Sequence, residues 1–190
     1  MSSSTGFPSL PHPAAAQQAH LLHGVNFMAP FVNNDHSIHY PVPDATYVRY
    51  GPLFAQLRAL QWVLAPHAVS VTPRDGAEAN FFHTRFGYAA PVVFPKQGLR
   101  HVALTLRGVR NATSAADAAR AHGAASAGLA VSLLYPDGAP PKSTTAFEVA
   151  ADGSLSLSVP LGGDARAPCA MVLIRDALRA PLEHPGPRQY

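Results

Sequence analysis

Asp152-Gly153-Ser154-Leu155-Ser156-Leu157-Ser158-Val159-Pro160-Leu161 is the stretch that decides the fold. Leu155, Leu157, Val159 and Leu161 alternate with Ser154, Ser156 and Ser158. A strand sends successive side chains to opposite faces, so this pattern predicts a β-strand with one wet and one buried side. The Asp-Gly pair before it is a tight-turn signal, which joins it to a preceding strand. That strand is read in Thr145, Phe147 and Val149, alternating with Ala146 and Glu148. Outward from there, Val102, Leu104 and Leu106 alternate with His101, Ala103 and Thr105, and Val69 and Val71 with Ser70 and Thr72. Asn80–Thr84 and Tyr88–Phe94 flank Arg85-Phe86-Gly87 as a hairpin. Leu129, Val131, Leu133 and Tyr135 share a face until Pro136-Asp137-Gly138 breaks the run, and Ala170–Ile174 is wholly apolar. Seven or eight short strands with turns between them predict a mainly β chain, an antiparallel β-sandwich over residues 61–180. The alanine-rich segment 111–128 reads as a loop inserted between two of its strands, in which Thr113 or Ser114 can cap a short helix.

Residues 21–60 follow another pattern. Leu53, Leu57 and Leu60 recur at helical spacing with Phe54 beside them, and Pro52 suits a first helical position. Gly24-Val25-Asn26-Phe27-Met28 reads as a short buried strand, followed by an irregular stretch with Pro30, Asn33, Asn34, Pro41 and Pro43. Residues 1–20, with Pro8, Pro11 and Pro13 among Ser and Ala, read as a disordered lead, and residues 181–190 as a flexible tail. The lead lacks the basic and apolar regions of a secretory signal and the arginines of a transit peptide, and leaves the compartment open.

Composition narrows the function classes. Hydrophobic residues make up 47% and charged residues 13%, enough apolar material for a core and too little charge for a disordered chain. The net charge of +3 comes from scattered cations, 12 Arg and 2 Lys, with no basic run, which argues against a nucleic-acid partner. No apolar run reaches the ~18–20 residues of a membrane span. One cysteine excludes an intrachain disulfide framework, and Cys169, beside an apolar strand, reads as a small core residue. There is no nucleotide-binding glycine motif and no G-x-S-x-G elbow, so no cofactor is expected.

The densest polar cluster is Asn33-Asn34-Asp35-His36-Ser37-Ile38-His39. Asp35 can serve as an acid or base with His36 as its hydrogen-bonding partner. The same Asp35, His36 and His39 can be read as metal ligands, but no further ligand sits at suitable spacing, so no metal is expected. Asn and Asp also make turns through their own backbone, which needs no function at all. His67, in Ala65-Pro66-His67-Ala68-Val69, reads as a core or edge group of a strand.

Two segments resemble a known group. GVNFMAPFVNNDHSI (Gly24–Ile38), followed by RYGPLFAQLRALQWVLAPHAV (Arg49–Val69), resembles the end of the catalytic barrel in large glycoside-hydrolase-like proteins. The remainder, with APCAMVLI (Ala167–Ile174) near its end, is similar to the β-sandwich that follows that barrel. The resemblance implies that residues 21–60 are a barrel-end remnant of strand, loop and helix, resembling the close of a (β/α)8 barrel. It places Asn34, Asp35 and His36 in a loop at the sugar-facing mouth, with the family's catalytic carboxylates on other barrel strands; by their own chemistry, Tyr40 is a further candidate ligand contact and Asp35 and His36 the candidate catalytic pair. A whole barrel needs about 250 residues, so the implied reading is a truncated chain or fragment: a non-catalytic sandwich module with a structural or carbohydrate-associated role. A small glycosidase using Asp35 and His36 and a protein-interaction module are the rivals. Tyr40, Tyr47, Tyr50, Trp62 and Tyr88 are the aromatics that can stack on sugar. Residues 21–60, deprived of a barrel, are expected either to be loosely ordered or to bind a barrel-bearing protein or a second copy.

Overall fold

The computed structural model describes residues 13–25, 41–58, 60–109, 129–164 and 166–176. Among the described residues two helices, α1 (Pro13–His23) and α2 (Pro41–Gln56), precede twelve strands. These are β1 (Gln61–Trp62), β2 (Val69–Thr72), β3 (Glu78–Ala79), β4 (Phe82–Thr84), β5 (Gly87–Val93) and β6 (His101–Leu106). Then come β7 (Leu129–Leu134), β8 (Lys142–Thr144), β9 (Phe147–Val149), β10 (Leu155–Pro160), β11 (Gly162–Asp164) and β12 (Ala167–Asp176).

The strands form two antiparallel sheets, so the chain is mainly β and sandwich-like. The larger has eight strands in the order β1-β4-β5-β12-β7-β8, with β11 beside β12 and β3 beside β5; the smaller is β2-β6-β10-β9. β10 keeps its expected register: Leu155, Leu157 and Val159 are buried and pair with Leu106, Leu104 and Val102, while Ser156 and Ser158 face out. These residues meet Ala90, Val92, Val131, Leu133, Val172 and Ile174 of the large sheet in one inter-sheet core. Tyr135 ties the layers by donating its hydroxyl to the Pro160 carbonyl at 3.1 Å. Burial, and then the Asp137 charge, push its phenol above the ordinary range. The strand count exceeds the expected seven or eight because pairing also captures segments of two or three residues, too short to show a period.

The region before the sandwich differs most from expectation. Residues 13–20, expected to belong to a disordered lead, are instead helical, since α1 begins at Pro13; residues 1–12 lie outside the described residues. Ala14, Gln17, Gln18, Leu21 and Leu22 are its buried face, at i, i+3, i+4, i+7 and i+8. Gly24 does not start a strand. It ends α1 with a φ of +66°, Gly24 N–H donating to Leu21 C=O at 3.1 Å and Val25 N–H to His20 C=O at 3.0 Å. This pair of bonds is the Schellman closure, which needs a left-handed residue and so favours glycine. Asn26, Phe27 and Met28 lie outside the described residues.

The second helix starts earlier than expected. Pro41 and Pro43 occupy the first turn, where a missing N–H costs nothing, and Pro52 is interior rather than first. The apolar face is nonetheless the expected one, with Leu53 and Leu57 buried, and Tyr50 added to it. Tyr50, Leu53 and Leu57 pack with α1 against Phe82, Ala89, Val93, Leu134, Met171 and Leu173, the outer face of the large sheet. The described part of residues 21–60 forms, with the rest of α1, a helical layer on the sandwich, and most of the expected strand and loop, residues 26–40, lies outside the described residues. The cover expected from a barrel-bearing partner or second copy is supplied by the chain's own sheet. Neither described helix is long and apolar enough to cross a membrane. The inserted loop 111–128 and the tail 181–190 lie outside the described residues.

Candidate functional site

A recess of about 570 Å³ opens at the β1 edge of the large sheet, within the range of small-molecule sites. Register builds it. Gln61 pairs with His83, and His83 with Tyr88, so these three share the face turned toward the small sheet. The Tyr88 ring stacks on buried Phe81 at 5.2 Å and 24°, and tilts against the His83 ring at 5.1 Å. Val63, Leu64 and Ala65 continue the lining from β1, and Gly108, just past β6, closes it. Gly108 has a φ of +82°, and a Cβ there would lie 3.1 Å from Val63 and 3.2 Å from Ala65. Only glycine lets the two segments approach this closely.

Trp62 also borders the recess but belongs to the opposite face of β1, across from Phe82. Its ring meets the buried Phe82 ring edge to face at 5.1 Å and 66°, and the residue stays 49% exposed. A large aromatic held in place from below and open above is a ready stacking surface. Gln61, His83 and Tyr88 supply hydrogen-bonding atoms of both polarities. No carboxylate occurs among the described lining residues.

The residues singled out from sequence fare unevenly. Asn34, Asp35, His36, His39 and Tyr40 all lie outside the described residues. Tyr50 is core, 2% exposed, and Tyr47 is half-buried on α2. Trp62 and Tyr88 both border the recess, from opposite faces of the sheet. Cys169 is buried, its thiol 3.9 Å from the Tyr50 hydroxyl. His67 is not a strand residue: it is exposed in a turn at φ +51°, because Pro66 interrupts the run before β2. Gln61 and His83 were missed. The tight Arg85-Phe86 turn carried the signal, since pairing Thr84 with Gly87 sets His83 opposite Tyr88.

A scan against protein-family models and searches of curated proteins and of solved structures find no match to this chain.

Proposed function

We propose that the chain is a non-catalytic β-sandwich module of glycoside-hydrolase ancestry with a carbohydrate-associated role, and that the β1-edge recess holds the sugar. The ancestry rests on the barrel-end and sandwich wording of Gly24–Ile38, Arg49–Val69 and Ala167–Ile174. The observation that carries the role is the open recess lined by Tyr88, His83 and Gln61, with the exposed Trp62 at its rim on the other face of β1. Sugars offer an apolar ring face and a rim of hydroxyls, which an aromatic with amide, imidazole and phenol neighbours complements. Glycoside hydrolysis ordinarily uses two carboxylates flanking one bond, ~5–10 Å apart.

Calorimetric titration with a panel of soluble oligosaccharides tests this. At least one class is expected to bind, and Tyr88→Ala to weaken it roughly tenfold with the far-ultraviolet spectrum unchanged. Aryl glycosides are expected to stay intact. Failure of the whole panel would overturn the reading. Hydrolysis that disappears in a folded Asp35→Ala variant would favour the enzymatic rival instead.

A further inference from the structure

β1 is the last strand on its side of the large sheet, and its outer edge pairs with no other described strand. Register decides which backbone groups that edge offers. The Val63 N–H donates to the Phe81 carbonyl at 3.1 Å, and Gln61 stands opposite His83, so these two residues direct their backbone groups to β4. The direction alternates along a strand, which turns the N–H and C=O of Trp62, and of Leu64 two residues on, away from the sheet. No described residue bonds them there.

The side chains make this edge unlike the other sheet ends. β8 carries Lys142, β9 carries Glu148, and β2 runs into Pro73, all devices that discourage an added strand. Leu60–Ala65 contains no charge. Trp62 and Leu64 are two of the four large apolar side chains left exposed among the described residues; the other two, Val25 and Val48, belong to the helical layer. Leu64 is 91% exposed, and alternation puts it on the same face as Trp62.

From this edge we propose that the chain pairs with a second copy of itself, β1 to β1, antiparallel about a two-fold axis through Val63. That register sets Trp62 of each copy opposite Leu64 of the other. Each such pair exchanges both of its bonds, so the outward groups of both residues are satisfied. It also lays the Leu64 side chain beside the indole across the seam, on the face where both are bare. Centring the axis on Leu64 would instead set Trp62 against Pro66, which has no N–H to give. With no charge between Leu60 and Ala65, an identical strand meets no repulsion in the seam. Strands this short bury less than the roughly 1,200 Å² of a stable interface, so the dimer is a transient one. The axis runs normal to the sheet and keeps both recesses on one side, and the inference stands apart from the carbohydrate reading.

Sedimentation velocity on the full chain tests this. Between about 10 µM and about 500 µM the mass is expected to rise from 20.0 kDa toward twice that value. Leu64→Lys, at a side chain too exposed to matter for folding, is expected to move that rise at least about tenfold higher in concentration, with melting as in the parent. The register is read by cross-linking. Under mild oxidation Val63→Cys is expected to give a covalent dimer, because the axis sets its two thiols opposite each other. Gln61→Cys is not, since its two copies lie about 13 Å apart along the seam. The native Cys169 is buried, and the parent serves as the blank. A rise in mass that Leu64→Lys leaves in place overturns the inference, as does cross-linking of Gln61→Cys as fast as Val63→Cys. A single mass across the whole range also overturns it, and leaves the edge to a strand from a different chain.

Discussion

Two adjacent glutamines on α1 show how differently one residue type can be used. The Gln18 amide nitrogen donates to the Ala167 carbonyl at 2.8 Å and to the Tyr50 hydroxyl at 3.3 Å, and its oxygen accepts from the Phe94 N–H at 2.9 Å. It thereby satisfies backbone groups where β5 ends and β12 begins. Gln17 is equally buried, yet its Oε1 has no hydrogen-bond partner among the described residues. A buried polar atom left unpaired costs roughly 1–3 kcal/mol, while a satisfied one is expensive to remove. Gln17→Leu is therefore expected to stabilise the chain by about 1 kcal/mol. Gln18→Leu, which strands an N–H and a C=O, should destabilise it by roughly 2–4 kcal/mol. Urea denaturation of the two variants checks this; midpoints that move the same way would contradict it. At this scale the sequence was readable for Cys169, whose surroundings are apolar. It was opaque for Gln17 and Gln18, because burial of an amide depends on partners 76 and 149 residues away.

The β10 strand offers the sharpest test of an element. Leu155 is wholly buried between the sheets, and Ser158 is exposed opposite Ala103. Leu155→Asp places an unpaired charge in the inter-sheet core and is expected to cost more than about 4 kcal/mol. Ser158→Asp should stay within about 0.5 kcal/mol. Ser156→Asp falls between them, since Ser156 pairs directly with Glu148 and like charges across a strand pair repel. Guanidinium melts that rank the three otherwise would refute the register. Elements with a strong period were legible for this reason: β2, β6 and β10 each bury one side only, and the alternation is written in the chain. The α1 helix was not, because two of its five buried positions are glutamine and a third is alanine. Gly24 misled in the same region, since a glycine that ends a helix looks locally like one that opens a strand. The start of α2 was hidden by its prolines, which stop a helix from within but suit its first turn.

Across the whole molecule, layering decides where a ligand can sit. Helices cover one face of the eight-stranded sheet, and the four-stranded sheet covers the other. The outer face of the small sheet is exposed but carries small residues, among them Ser70, Thr72, Ala103, Ser156 and Ser158, with no aromatic on β2, β6 or β10 to stack on. The open β1 edge combines aromatic surface, polar atoms and depth: His83, Tyr88 and Gly108 line its recess and Trp62 stands at the rim. The central claim is thus a location as well as a ligand class. Amide chemical-shift mapping of the full chain tests it most directly, with the tightest-binding oligosaccharide added to saturation. Shifts are expected to concentrate at residues 61–65, 83, 88 and 108. Shifts centred on the outer face of the small sheet, on the helices, or nowhere at all would contradict it.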